Sequence, residues 1–156
     1  AGVAVGDHGL FYLVVLVLSL VFIAWPLAKD RRGGSTSSAV WPFPLMAIAM
    51  ILLTTESTPG LLVLASILLF MGFNFLEASY PSRATLLASA SRRGLVMGIY
   101  STCQFVGIAL GGAAGGFIVS VLGDAALLIV CATVLALFTV VERAALRSRF
   151  KAGVSG

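Results

Sequence analysis

The residues able to do chemistry gather between Gly72 and Gly116, in the stretch GFNFLEASYPSRATLLASASRRGLVMGIYSTCQFVGIALGGAAGG. An amide and a carboxylate, Asn74 and Glu77, stand late in a hydrophobic run; Pro81 and the arginines Arg83, Arg92 and Arg93 follow. A second hydrophobic run then carries Tyr100 and Gln104 into a ladder of glycines. A carboxylate in an apolar helix is expensive unless it is paired, protonated or wetted, so Glu77 has two readings: an ion pair with Arg83, Arg92 or Arg32, or a proton-carrying site. Depth separates them. At about 1.5 Å per residue, Glu77 lies roughly 27 Å along a helix from Pro59, near one membrane face rather than the midplane. The ion pair is therefore favoured, and at the rim it can also serve as a gate. Asn74 precedes Glu77 by one turn, an i, i+3 spacing that lets both point into a bundle.

Tyr100 and Gln104 are i, i+4 neighbours, and Gly107, Gly111 and Gly115 continue their stripe. Because lipid cannot satisfy a polar side chain, this face must look at protein or at a water-filled cavity. For Gln104, interhelical hydrogen bonding and cavity lining stand level; Asn74, Tyr100 and Gln104 are the cavity-lining candidates. The spacings Gly107/Gly111/Gly115 and Gly112/Gly116 are small-xxx-small patterns that let helix backbones approach, and their expected role is packing. Catalysis has little to build on. His8 is the only histidine and has no evident metal partners, and no G-x-S-x-G, H-E-x-x-H or P-loop pattern occurs. Cys103 and Cys131 both lie inside hydrophobic runs, as small packing residues do. No enzyme activity, metal or cofactor is expected.

The elements that must hold these residues follow from the composition. Of 156 residues, 60% are hydrophobic and 10% charged, with a mean hydropathy of +1.09. Soluble domains average about 45–50% apolar and about 25% charged residues, so the class is an all-α integral membrane protein. A hydrocarbon core of about 30 Å takes about 20 helical residues to cross. Five runs qualify as membrane helices: 10–28, 40–55 (somewhat short), 59–80 with continuation past Pro81 left open, 95–122 and 125–141. A basic tail, 142–156, follows. Thr58 suits an N-cap with Pro59 at the first helical position, and Gly123-Asp124 suits a C-cap joined directly to an N-cap.

Counting loops alternately, one side holds Asp7, Glu56 and Asp124 and the other all ten basic residues. Lysine and arginine are retained on the cytoplasmic side, so the expected topology is N-terminus outside and C-terminus in the cytoplasm. The net charge of +4 therefore belongs to membrane topology; the basic residues lack aromatic interleaving and give no nucleic-acid surface. The first run follows Asp7 and His8 rather than a basic segment, no cleavage site follows it, and no Met opens the chain. These features suggest a piece of a longer protein.

Two patterns carry a family resemblance: Gly72-Phe73-Asn74 with Glu77-Ala78 and Pro81-Ser82, then Arg93-Gly94 with Met97-Gly98, Tyr100, Gln104 and Gly107. They resemble the C-terminal half of major facilitator superfamily transporters, and most closely the bacterial drug/proton antiporter-like branch. Asp30-Arg31-Arg32-Gly33 is similar to that family's second D-R-x-G-R loop, with Gly34 where the final arginine would stand. The resemblance implies a partial C-terminal half of a 12-helix fold, about helices eight to twelve, in the inner membrane. It implies secondary-active export of a small-molecule substrate by alternating access, with proton coupling, the missing N-terminal transporter half as partner and the lipid bilayer as solvent. Glu77, Arg83, Arg92, Arg93, Asp30 and Arg31 are then candidates for a cytoplasmic gate or inter-helix ion pairs. The alternative is a small five-helix membrane subunit with an assembly role and no transport of its own.

Overall fold

The computed structural model describes residues 8–31, 40–55 and 58–154. They form five α-helices in the order α1 (His8–Arg31), α2 (Pro42–Thr54), α3 (Pro59–Leu87), α4 (Arg93–Leu122) and α5 (Asp124–Val154), with a single 3-10 turn at Ala90–Arg92 before α4. Four of them are long and apolar enough to cross a membrane. The second, expected to be short, has 13 residues, or about 20 Å of helix, against a core of about 30 Å. Its limits are set by local chemistry. Pro42 occupies the first helical turn, where no N–H is missed, and Thr55 leaves the helix with an extended backbone.

Helix α3 starts as the sequence suggests, Thr58 accepting a hydrogen bond from the Leu61 amide with Pro59 just inside. It runs through Pro81 to Leu87 rather than stopping at 80. A proline at this position removes the donor for the Glu77 carbonyl, four residues earlier. Membrane helices tolerate such a loss where neighbours re-satisfy the freed group. The arginine-bearing link to α4 therefore shrinks to a few residues, with Arg83 on α3 itself and Arg92 and Arg93 at the entry to α4. At the opposite end Gly123 takes φ +84 and donates its N–H to the Val119 carbonyl, so that α5 begins at Asp124 directly after the turn. A side chain there would be strained. Residues 142–154, expected as a tail, continue α5 as helix, in keeping with the strong helix formers Glu142, Ala144, Ala145 and Leu146.

Helix α3 is the hub, in contact with α1, α2 and α4, while α5 packs on α2 and α4. The buried stripe of α1, Val15, Ser19 and Ile23, repeats every fourth residue. From α3 come Ala65, Gly72, Phe75 and Ser79, and from α2 Pro42, Phe43 and Ala49. Phe43 stacks on Phe138 of α5, and Trp41 tilts against Phe75. Helix α4 buries no residue at all. Most large apolar side chains of α1, α4 and α5 are exposed, as bilayer-facing surface must be.

Candidate functional site

The polar residues of α3 are distributed among its neighbours, one helix each. Toward α2, the face Gly72, Phe75 and Ser79 is buried. A Cβ on Gly72 would lie 2.5 Å from Met46 Cγ and 2.9 Å from the Pro42 carbonyl oxygen, so here the two backbones approach as closely as glycine permits. Toward α1, Asn74 Nδ2 donates to Ser19 Oγ at 3.2 Å, and the Ser19 hydroxyl in turn donates to the Leu16 carbonyl at 2.8 Å. Toward α4, Glu77 Oε1 accepts from Gln104 Nε2 at 2.8 Å. A carboxylate accepting from an amide makes a charge-assisted bond, and this one joins the two helices that carry the chemistry.

Around that bond lie further polar groups. Tyr100, one turn before Gln104 on α4, is an electrostatic neighbour of Glu77. Tyr80 of α3 is an electrostatic neighbour of Tyr100, Arg83 and Glu142, the last from α5. Three helices thus contribute to one polar belt: Glu77, Tyr80 and Arg83 from α3, Tyr100 and Gln104 from α4, and Glu142 from α5. Directly behind it Ser79 Oγ is buried without a hydrogen-bond partner among the described residues.

Of the expected site residues, Tyr100, Gln104 and Glu77 are brought together, and the hydrogen-bond partner of Glu77 is Gln104. Asn74 turns away from them to α1. Arg92 and Arg93 are exposed at the start of α4. Asp30 and Arg31 close α1, and their side chains, like Arg32, lie outside the described residues. Among the glycines expected to pack, a Cβ on Gly107, Gly111, Gly112 or Gly116 would meet nothing within 4 Å; only Gly115 would touch a neighbour, Leu127 Cδ1 at 3.5 Å. Apart from Gly115 beside α5, no helix of the described chain covers that stripe, and the glycine at which two backbones come close is Gly72. The sequence also left Ser19, Tyr80 and Glu142 unremarked. Ser19 could have been found as the lone serine among the aliphatic residues of the first run; Glu142 has no such signal, because its approach to Tyr80 depends on α5 staying helical past 141. Among the described residues, no group of three or more His, Cys, Asp or Glu side chains gathers as a metal site.

Comparison with known proteins follows this geometry. Over 120 residues, the chain is 31% identical to the inner membrane transport protein YajR of Escherichia coli (strain K12), a match covering 76% of this chain and 26% of that protein. It is 38% identical over 117 residues to an uncharacterised transporter of Buchnera aphidicola subsp. Baizongia pistaciae, covering 72% of this chain and 29% of the relative. The chain is related to membrane transporters. A third relative, the uncharacterised transporter BU466 of Buchnera aphidicola subsp. Acyrthosiphon pisum, is 32% identical over 113 residues, 71% of this chain and 29% of that protein. The chain spans between a quarter and a third of the length of these relatives. No family model matches the sequence, and no solved structure matches the chain. Its relatives are transporters rather than enzymes, and its helices are those of a multi-pass membrane protein.

Proposed function

We propose that the chain forms about helices eight to twelve of a major facilitator-type secondary transporter in the inner membrane. It exports a small molecule by alternating access in exchange for protons, with the N-terminus outside and the C-terminus in the cytoplasm. The observation that carries this reading is the Glu77–Gln104 bond. Helix α4 buries nothing in this chain, and this bond ties its arginine-bearing half to α3. On the α3 side, Pro81 withdraws the backbone donor from the Glu77 carbonyl. In this proposal Glu77 is the group that exchanges the proton: a neutral acid accepts from Gln104 more weakly than a carboxylate does, so protonation would loosen α4 from α3 beside a weakened helical turn. Kinship to transporters and the patterns around Glu77 and Gln104 support the same reading.

In this proposal Tyr100 and Gln104 line the substrate path, and Asn74 fixes α1 against α3 so that the path keeps its shape. Arg83, with Asp30 and Arg31 at the same end, closes the cytoplasmic side, while Arg92 and Arg93 stay exposed at the entry to α4. The uncovered glycine face of α4 receives helices from the rest of the transporter.

The decisive experiment is Glu77→Gln in the full-length protein, reconstituted in liposomes with a pH-sensitive dye inside and challenged with a panel of amphiphilic compounds. Glutamine still accepts a hydrogen bond but cannot carry a proton. The expected result is normal abundance with loss of compound-driven proton movement; unchanged proton movement would overturn the role of Glu77.

A further inference from the structure

Helices α3, α4 and α5 are longer than a bilayer core requires, and the surplus falls at one end. At about 1.5 Å per residue, they measure roughly 43, 45 and 46 Å, against a core of about 30 Å bounded by headgroup layers of about 5–8 Å. The tight turn at Gly123 leaves no surplus between α4 and α5 at its own end. With Asp124 at that boundary, Arg143 lies about 28 Å and Arg147 about 34 Å along α5, at the far edge of the core and in the headgroup layer. Arg93 lies about 43 Å from Leu122 along α4, a few ångströms beyond that layer and within the reach of an arginine side chain that bends back toward it.

All four guanidinium groups of Arg92, Arg93, Arg143 and Arg147 are exposed. They belong to one end of the bundle, since Tyr80, Tyr100 and Glu142 bring α3, α4 and α5 together there. The acidic groups at this level have other neighbours, Glu77 bonding Gln104 and Glu142 lying within electrostatic reach of Tyr80. Four exposed cations spread from the edge of the core to just past the headgroup layer, with Glu77 bonded to Gln104 and Glu142 beside Tyr80, make a surface complementary to phosphate diesters of net negative charge.

We propose that this arginine rim is a binding surface for anionic phospholipid headgroups, which collect around the α4 entry and the α5 extension and set the depth of the bundle. The inference rests on membrane insertion alone, so it stands or falls independently of proton coupling and export.

The test uses the full chain in phosphatidylcholine bilayers carrying spin-labelled phosphatidylglycerol or spin-labelled phosphatidylcholine, with the motionally restricted lipid fraction measured by electron paramagnetic resonance. At low salt the expected preference for phosphatidylglycerol is about fivefold, the effect of one fully engaged arginine near an anionic surface. The R92Q/R93Q/R143Q/R147Q variant should lose that preference and the four-lysine variant should keep it. Equal restriction of both lipids by the unmodified chain, or a preference undiminished in the glutamine variant, would overturn the proposal. Should the glutamine variant fail to insert, salt decides: in about 1 M salt, where charges are screened beyond ~3 Å, the preference of the unmodified chain should collapse, and its persistence would equally overturn the proposal.

Discussion

Helices α3 and α4 are nearly equal in length, 29 and 30 residues, and both are apolar enough to span a membrane, yet they are held in opposite ways. On α3, separate faces meet three neighbours: a glycine contact to α2, a hydrogen bond from the Asn74 amide to α1 and one accepted by the Glu77 carboxylate from α4. On α4 no residue is buried, and its glycines, Gly115 excepted, face open space. Small residues therefore have two meanings in one chain. Gly72 is a contact already made, whereas Gly107 and Gly111 have no neighbour among the described residues. The lesson is that a glycine pattern in a membrane helix measures how closely a partner can come, and says nothing of whether the partner belongs to the same segment.

The sharpest way to break this contrast is at Gly72. Substitution by leucine would drive a side chain into Met46 and the Pro42 carbonyl and should cost about 1–3 kcal/mol, as overpacking does, in equilibrium unfolding in mixed micelles. A loss below that range would mean that α2 can slide away from α3. Next in size is the α3–α4 bond: Gln104→Ala should lower stability by about 1–2 kcal/mol and raise amide hydrogen exchange in the first half of α4 but not in α2. The exchanged pair, Glu77→Gln with Gln104→Glu, recreates an amide-to-carboxylate bond and should restore protection; failure to do so would assign the loss to packing rather than to the bond. Asn74→Ala should cost less, about 0.6 kcal/mol, and loosen α1 alone. Gly111→Ala should be the smallest change, within about 0.5 kcal/mol in this chain, because no atom lies near its Cβ. If the same substitution halts assembly of the full-length transporter, the partner of the α4 face lies outside these residues.

Much of the helical frame could be read directly. The apolar runs, the Thr58 cap and the Gly123 turn are local features, decided by side-chain transfer energies and by φ/ψ limits that a short stretch of sequence already contains. The ends of α3 and α5 were harder to place, since proline and basic residues usually signal a stop. Both helices continue because neighbouring residues favour helix and, in α3, a freed carbonyl can be tolerated. The site was legible as a set of residues but not as a set of contacts. Asn74 and Glu77 share a face by i, i+3 spacing, yet one bonds α1 and the other α4. The angle between them on the helix is about 60°, enough to address different neighbours once three helices crowd around one.

The sequence by itself determined that this chain is a helical membrane protein, where its helices begin to be possible, and which polar residues must find partners, because burying an apolar run or an unpaired polar group has a cost that does not depend on the neighbours. Only the tertiary structure decided which partner each one took. That choice depends on which helices lie side by side, and hence on backbone approach at Gly72, on the position of α3 at the centre, and on α4 being left with an open face. Those are properties of several helices at once, and no single stretch of sequence carries them.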